Sequence, residues 1–138
     1  MKAGKCVALI AHDEKKGDLI DWVRSNTEAL RSHRFWCTGT TGKQIADAAG
    51  ELDITVMKSG PLGGDQQIGA MIAENRIDVL IFFIDPLSKQ PHDADVQALV
   101  RLSTLYNVVM ATNRASADFI VASPLFSQPY EPVDGAPE

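Results

Sequence analysis

Ser59-Gly60-Pro61-Leu62-Gly63-Gly64-Asp65-Gln66-Gln67 sets an acid directly after two adjacent glycines, and Ile68-Gly69-Ala70-Met71-Ile72 continues it with helical spacing. Glycines admit close approach of backbone N–H groups to a ligand, and an acid suits the start of a helix. A tight strand-to-helix turn with Asp65 as N-cap accounts for the acid, but two glycines exceed what a cap requires. A second stretch, Cys37-Thr38-Gly39-Thr40-Thr41-Gly42, joins hydroxyls, glycine-exposed amides and a helix start. That combination suits an anion, most naturally phosphate, although threonines capping a turn would use the same residue types. Its spacing matches neither the dinucleotide fingerprint nor the Walker-type loop.

His12 ends an apolar run, Asp13 follows it, and Lys16 lies four residues on. On a helix an i, i+4 pair shares a face, so the ammonium can reach where the imidazole points. Further along come Asp85-Pro86-Leu87 and Pro91-His92-Asp93-Ala94-Asp95. His92, its approach restricted by Pro91, is suited as a neutral donor to a developing oxyanion, and one of Asp93 and Asp95 is expected to cap the next helix. His33, within Arg31-Ser32-His33-Arg34, is expected at a helix end in solvent.

Five apolar, β-branched-rich runs could carry these groups: Cys6–Ala11, Arg34–Thr38, Ile54–Lys58, Val79–Ile84 and Val108–Ala111. None alternates strictly, as expected of strands buried on both faces. Helical patterns lie between them, over Leu19–Leu30, Ile45–Ala49, Gly69–Ile72, Val96–Tyr106 and Ser116–Ala122. Such alternation argues for one α/β domain with a parallel sheet covered on both faces. The strand ends fall at His12, Thr38, Ser59, Asp85 and Thr112. Open parallel sheets bind ligands beyond the carboxyl ends of their strands, where nearly all of these side chains lie.

A chain of 138 residues, 45% hydrophobic and 22% charged, is long enough for one full core and ordinary for a globular domain. Its net charge of −5 argues against a nucleic-acid partner, while amides and one lysine can still hold a small anion. Cys6 and Cys37 sit in apolar runs and are expected as buried core thiols. No run approaches membrane-spanning length and the first is too short for a signal-peptide core, so a cytoplasmic protein without a membrane partner is expected. Residues 127–138, rich in proline, are expected as an irregular tail on a domain spanning 1–126. Tyr106, Phe119, Phe126 and Tyr130 read as exposed aromatics available for subunit contacts.

Val7–Asp13, Thr38–Gly42, Ser59–Gln67, Asp78–Pro86, Pro91-His92-Asp93 and Ala111–Phe119 together resemble the methylglyoxal synthase family, over roughly Cys6 to Phe126. The most specific part is the Ser59–Gln67 string followed by Phe82-Phe83-Ile84-Asp85-Pro86-Leu87. The resemblance implies a three-layer α/β/α domain with strand order 3-2-1-4-5. It also implies a lyase that converts dihydroxyacetone phosphate to methylglyoxal and inorganic phosphate through an enediolate, in a bypass of glycolysis, without metal or organic cofactor. Carried over residue by residue, Asp65 matches the catalytic base, and His12 and His92 match substrate-contacting histidines. Lys16, Thr38, Gly39, Thr40, Thr41, Ser59, Gly60 and Gly64 match the phosphate and substrate cradle, with Asp13, Asp85 and Asp95 as supporting carboxylates. The family forms homohexamers inhibited by phosphate, often cooperatively. Longer members carry basic residues in a C-terminal extension, whereas this chain has no Lys or Arg after Arg114; Arg101 matches an arginine implicated in communication between subunits. The same fold also resembles the effector-binding domain that ends the large subunit of carbamoyl-phosphate synthetase. A regulatory module of that kind would keep a phosphate cradle but has no need of Asp65, which with His12 and His92 favours the enzyme.

Overall fold

The structure, a computed structural model, describes residues 1–88 and 93–133. Its elements alternate as β1 (Cys6–Ala11), α1 (Lys16–Ser25), α2 (Thr27–Leu30), β2 (Arg34–Thr38), α3 (Gly39–Ala48), β3 (Asp53–Met57), α4 (Gly64–Ala73), β4 (Val79–Phe83), α5 (Asp93–Leu105), β5 (Val109–Ala111) and α6 (Arg114–Ala122). Short 3-10 turns occupy Asp13–Lys15, Gly60–Leu62 and Pro124–Phe126. All five strands are parallel and lie in the order β3-β2-β1-β4-β5, the order that the resemblance implies.

β1 is the central strand; Val7 stands opposite Phe35 of β2 on one side and Val79 of β4 on the other. Successive side chains of a strand leave on opposite faces. Val7 and Leu9 therefore join Leu19, Trp22 and Ile45 in one core, while Ala8 and Ile10 join Ile68, Ile72 and Leu99 in the other. Helices α1, α2, α3 and α6 cover the first face, and α4 and α5 the second. β4 is buried at every residue and so reads as an unbroken apolar run, whereas Val56 of the edge strand β3 is exposed. Among the described residues no helix is long and apolar enough to cross a membrane.

Several expectations change. The pattern over Leu19–Leu30 is two helices, because Asn26 leaves helical geometry at φ −123° and donates its side-chain amide to the Trp22 carbonyl at 2.8 Å. β3 ends at Met57, because the Lys58 N–H is taken by the Gln67 Oε1 at 2.9 Å and not by a neighbouring strand. Cys37 is buried, and burial pushes its thiol up to about 12, but Cys6 opens β1 at the sheet rim and is only half-buried. His33 is not in solvent. It is 1% exposed, its Nδ1 accepts the Lys5 N–H at 2.8 Å, and its ring stacks on Phe126 with centroids 4.1 Å apart. Phe126 is thereby removed from the exposed aromatics, and Tyr106 is half-buried against the second core, while Phe119 remains 83% exposed.

The Lys5 ammonium is buried as well and donates to the carbonyls of Lys2 and Gln128 at 2.5 and 2.6 Å. The Met1 ammonium donates to the Tyr130 carbonyl at 2.7 Å, and the Tyr130 N–H returns a bond to Met1 O at 3.0 Å. Residues 127–133 lie outside helices and strands yet are tied to the start of the chain by these bonds.

Burial, and next the Lys5 ammonium, hold the His33 imidazole below its ordinary value. The unfolded chain protonates this ring below about pH 6.5 while the folded one keeps it neutral. Its contribution to stability is therefore full above that pH and is lost as pH falls towards the folded value. In thermal melts from about pH 7.5 to about pH 5, the midpoint is expected to drop on the acid side. His33→Gln, whose amide oxygen can still accept the Lys5 N–H, is expected to show a shallower drop; an identical acid limb would show that another group is responsible.

Candidate active site

The carboxyl ends of β1, β2 and β3 surround a cavity of about 260 Å³ lined by Ile10, Ala11, His12, Asp13, Lys16, Thr38, Gly39, Thr40, Thr41, Ser59, Gly60, Pro61 and Asp65. That volume is below the usual range for drug-sized ligands, so the fit is for a small, polar molecule.

Each wall has a local cause. Thr38 ends β2 in extended geometry and makes no side-chain cap to α3, so capping does not consume its hydroxyl. The first amides of α3 have no intrahelical partner and belong to an anion-attracting helix end. Gly39 adopts φ +57°, and a Cβ there would lie 2.9 Å from both Cα and Cβ of Ser59. Glycine at this position lets the loops after β2 and β3 close on each other.

The loop after β3 holds Asp65. From Ser59 a 3-10 turn leads to Gly63 at φ 108°, which occupies the N-cap position of α4. Gly64 packs so tightly on the loop that a Cβ would overlap the Lys58 carbonyl oxygen and lie 2.9 Å from its carbon. The Gly64 N–H donates to Ser59 O at 2.9 Å, and the Gln67 side chain holds Lys58 at the other end of the loop. Asp65 is thus the second residue inside α4, not its N-cap, and it is 1% exposed at the cavity wall.

His12 extends the β1–β4 ladder through its N–H to Phe83 O at 3.1 Å, and its Nδ1 accepts the Asp85 N–H at 2.9 Å. With Nδ1 an acceptor, the neutral ring carries its proton on Nε2, making that nitrogen a donor. Phe82 stands edge-on to the imidazole at 5.2 Å. Lys16 donates to the Thr40 hydroxyl at 3.2 Å and pairs with Asp13 Oδ1 at 2.9 Å. The Asp13 side chain is 83% exposed, so this ion pair is weak and competes little with an incoming anion. One ammonium, several hydroxyls and a helix start therefore converge at one spot.

Other residues fall elsewhere. Gly64 shapes the wall without lining it. Asp85 orients His12 through its main chain, while its own Oδ1 accepts the Leu87 N–H at 3.1 Å. Asp95 lies with Asp93 inside the first turn of α5, and it lines a separate groove between α4 and α5 that Asp65 also borders. Arg101 is exposed on α5, away from the cavity. His92 lies outside the described residues. Ile10, Ala11 and Pro61 add apolar lining, and Gln67 adds a brace; the Gln67 bond back to Lys58 has no signature in the sequence. Among the described residues, no three His, Cys, Asp or Glu side chains gather as metal ligands.

A family model described as the MGS-like domain matches residues 18–112. A methylglyoxal synthase from Oleidesulfovibrio alaskensis is 53% identical over 132 residues, spanning 96% of this chain and 90% of that relative. One from Proteus mirabilis is 57% identical over 124 residues, or 90% of this chain and 81% of that one. The crystal structure of methylglyoxal synthase from Elizabethkingia anophelis superposes with a TM-score of 0.90 at 46% identity, covering 100% of this chain and 89% of that chain.

The tight seat of Gly64 generates a test. Gly64→Ala is expected to destabilise by about 1–3 kcal/mol or more through overpacking, read from urea unfolding. It should also weaken phosphate binding in calorimetry, because the overlap pushes Ser59 out of the cavity wall. Gly63→Ala meets nothing within 4 Å and suffers only the strain of its positive φ. Equal effects of the two substitutions on phosphate affinity would show that contact at Gly64 does not shape the cavity.

Proposed function

The chain belongs to the methylglyoxal synthase family, and we propose that its cavity converts dihydroxyacetone phosphate to methylglyoxal and inorganic phosphate with Asp65 as the base. One observation carries the reading: a buried carboxylate, a histidine with its proton on Nε2, and a lysine–threonine anion cradle line the same small cavity.

The Thr38–Thr41 segment, Lys16, Ser59 and Gly60 hold the phosphate group. The Asp65 carboxylate removes a proton from the hydroxymethyl carbon, and the electron pair moves towards the carbonyl oxygen to give an enediolate. His12 donates Nε2–H to an oxygen of that enediolate, a role His92 shares in this proposal. A donor so placed is typically worth about 3 kcal/mol, or about a hundredfold in rate. The terminal oxygen then forms the aldehyde, the double bond shifts by one carbon, and the C–O bond to phosphate breaks. The enol so released takes a proton on its methylene carbon to become methylglyoxal. Elimination requires the breaking C–O bond roughly perpendicular to the enediolate plane, whereas isomerisation needs it near that plane. Holding the phosphate at the α3 start, away from Asp65 and His12, is what selects elimination in this scheme. A regulatory binding module would leave the burial of Asp65 beside the cradle without a use.

The rest of the proposal follows from substrate and family. The enzyme works in the cytoplasm, since a phosphorylated triose does not cross membranes unaided. It assembles as a homohexamer, for which the exposed Phe119 offers contact area. Free phosphate inhibits by occupying the ester's own cradle, and Arg101, exposed on α5, carries communication between subunits.

Asp65→Asn preserves shape and removes the basic lone pair. It is expected to leave the circular dichroism spectrum unchanged and to lower kcat by roughly a hundredfold to ten-thousandfold. Full activity in the folded Asp65→Asn enzyme would refute the mechanism.

Lys16→Ala removes a charged contact worth about 1.5–3 kcal/mol, so KM for substrate and the inhibition constant for phosphate should both rise about ten- to hundredfold. Phosphate inhibition that is unaffected while KM rises would place inhibitor and substrate at different sites. Sedimentation of the same sample should give a particle of about six subunits; a 15.0 kDa species at working concentration would exclude the hexamer.

A further inference from the structure

The amino ends of the strands, opposite the proposed active site, border a second and larger cavity of about 560 Å³. Cys6 and Arg34 open β1 and β2 and stand opposite each other in the parallel register. Their side chains meet on the cavity wall, where Arg34 Nη2 donates to Cys6 Sγ across 3.6 Å. Arg34 is exposed and Cys6 half-buried, so a small molecule can reach both. Asp78 lines the same cavity, accepting the Cys6 N–H on Oδ2 at 2.9 Å, and Glu131 adds a second carboxylate. The proposed lyase reaction uses none of these four side chains.

We propose that Cys6 and Arg34 form a covalent modification site for methylglyoxal, an α-oxoaldehyde, which joins them in an imidazole crosslink. The chemistry of this site stands on its own geometry; only the supply of the aldehyde by the same enzyme rests on the proposed function.

In the first step the Cys6 sulfur adds to the aldehyde carbon. A C–S bond forms, the carbonyl π bond opens, and the thiol proton ends on the new hydroxyl. The Arg34 donor stabilises the charge that sulfur carries during the attack. In the second step Nη2, after losing a proton for which Asp78 and Glu131 are nearby acceptors, adds to the ketone carbon, which then loses water. Another guanidine nitrogen displaces the hydroxyl on the sulfur-bearing carbon as a second water, and a proton shift makes the ring aromatic. No oxidant or reductant enters, and the net gain is one methylglyoxal less two waters. Sulfur and Nη2 finish three bonds apart, a span that their present 3.6 Å separation already meets. Because the crosslink joins residues already in register on neighbouring strands, it leaves the sheet intact. Cys37 is an internal control: it is fully buried, and its thiol is pushed up to about 12.

The test is peptide mass spectrometry after a protease that does not cut at arginine. Purified protein is incubated with added methylglyoxal, and in parallel with dihydroxyacetone phosphate. Added methylglyoxal is expected to give a crosslinked pair of peptides containing Cys6 and Arg34, with the mass of one methylglyoxal less two waters. Cys6→Ser and Arg34→Lys should both abolish that species, while Arg76→Lys, on the same cavity, should leave it. Adducts spread over the exposed Arg24, Arg31 and Arg101, with none joining Cys6 to Arg34, would overturn the proposal. So would a crosslink that persists in Cys6→Ser. A crosslink with added methylglyoxal but none with dihydroxyacetone phosphate leaves the site standing and counts instead against the proposed lyase activity.

Discussion

The seat of Gly64 against the Lys58 carbonyl is the contact on which the candidate site depends. β3 lies at the sheet edge and α4 packs on the opposite face from α3, so the short loop between β3 and α4 must cross the rim of the sheet. The absence of a side chain at Gly64 makes that crossing tight enough to hold Asp65 inside the wall instead of above it. The same loop touches the β2 loop through Gly39 and Ser59, coupling the anion cradle to the acid. Gly39 and Gly64 thereby set how closely the threonine loop and Asp65 approach each other.

The electrostatics follow the same economy. The protein carries a net charge of −5, and among the described residues Lys16 is the one lysine on the cavity wall. Helix-end amides and hydroxyls provide the rest. Such fixed dipoles need no counter-charge of their own and no reorganisation around an anion. His12 belongs to the same scheme. A main-chain donor at residue 85 sets its tautomer, so the fold itself fixes the proton on Nε2.

Local chemistry made much of this legible. The five strands announce themselves because each is short, rich in apolar residues and flanked by polar residues or glycine. The glycine–acid string and the threonine string fall at strand ends and meet in one cavity, as sheet topology demands. What could not be read depends on pairs far apart in the chain. His33 lies among charged neighbours, and nothing near it tells of Lys5 and Phe126, which enclose it. Cys6 shares its apolar run with Val7–Ala11 but stands at the strand's open end, so its composition misleads. Gln67 was visible in its string, yet its bond to Lys58 depends on the exact path of the loop. Asp95 sits in the first turn of α5, and which groove it lines depends on how α5 packs beside α4.

The position of β1 has a consequence for the order in which the protein becomes functional. β1 is synthesised first but pairs on one side with β4, where Val7 meets Val79. His12 gains its tautomer-setting partner only when residue 85 arrives. A ribosome-bound chain that ends within α4 has the cradle residues, the glycine loop and Asp65, but lacks the strand that completes the sheet beside β1. Contacts of such sequence separation form late and slowly compared with local helix formation. The surroundings of His12 are therefore completed late in biosynthesis, once β4 and residue 85 have been made.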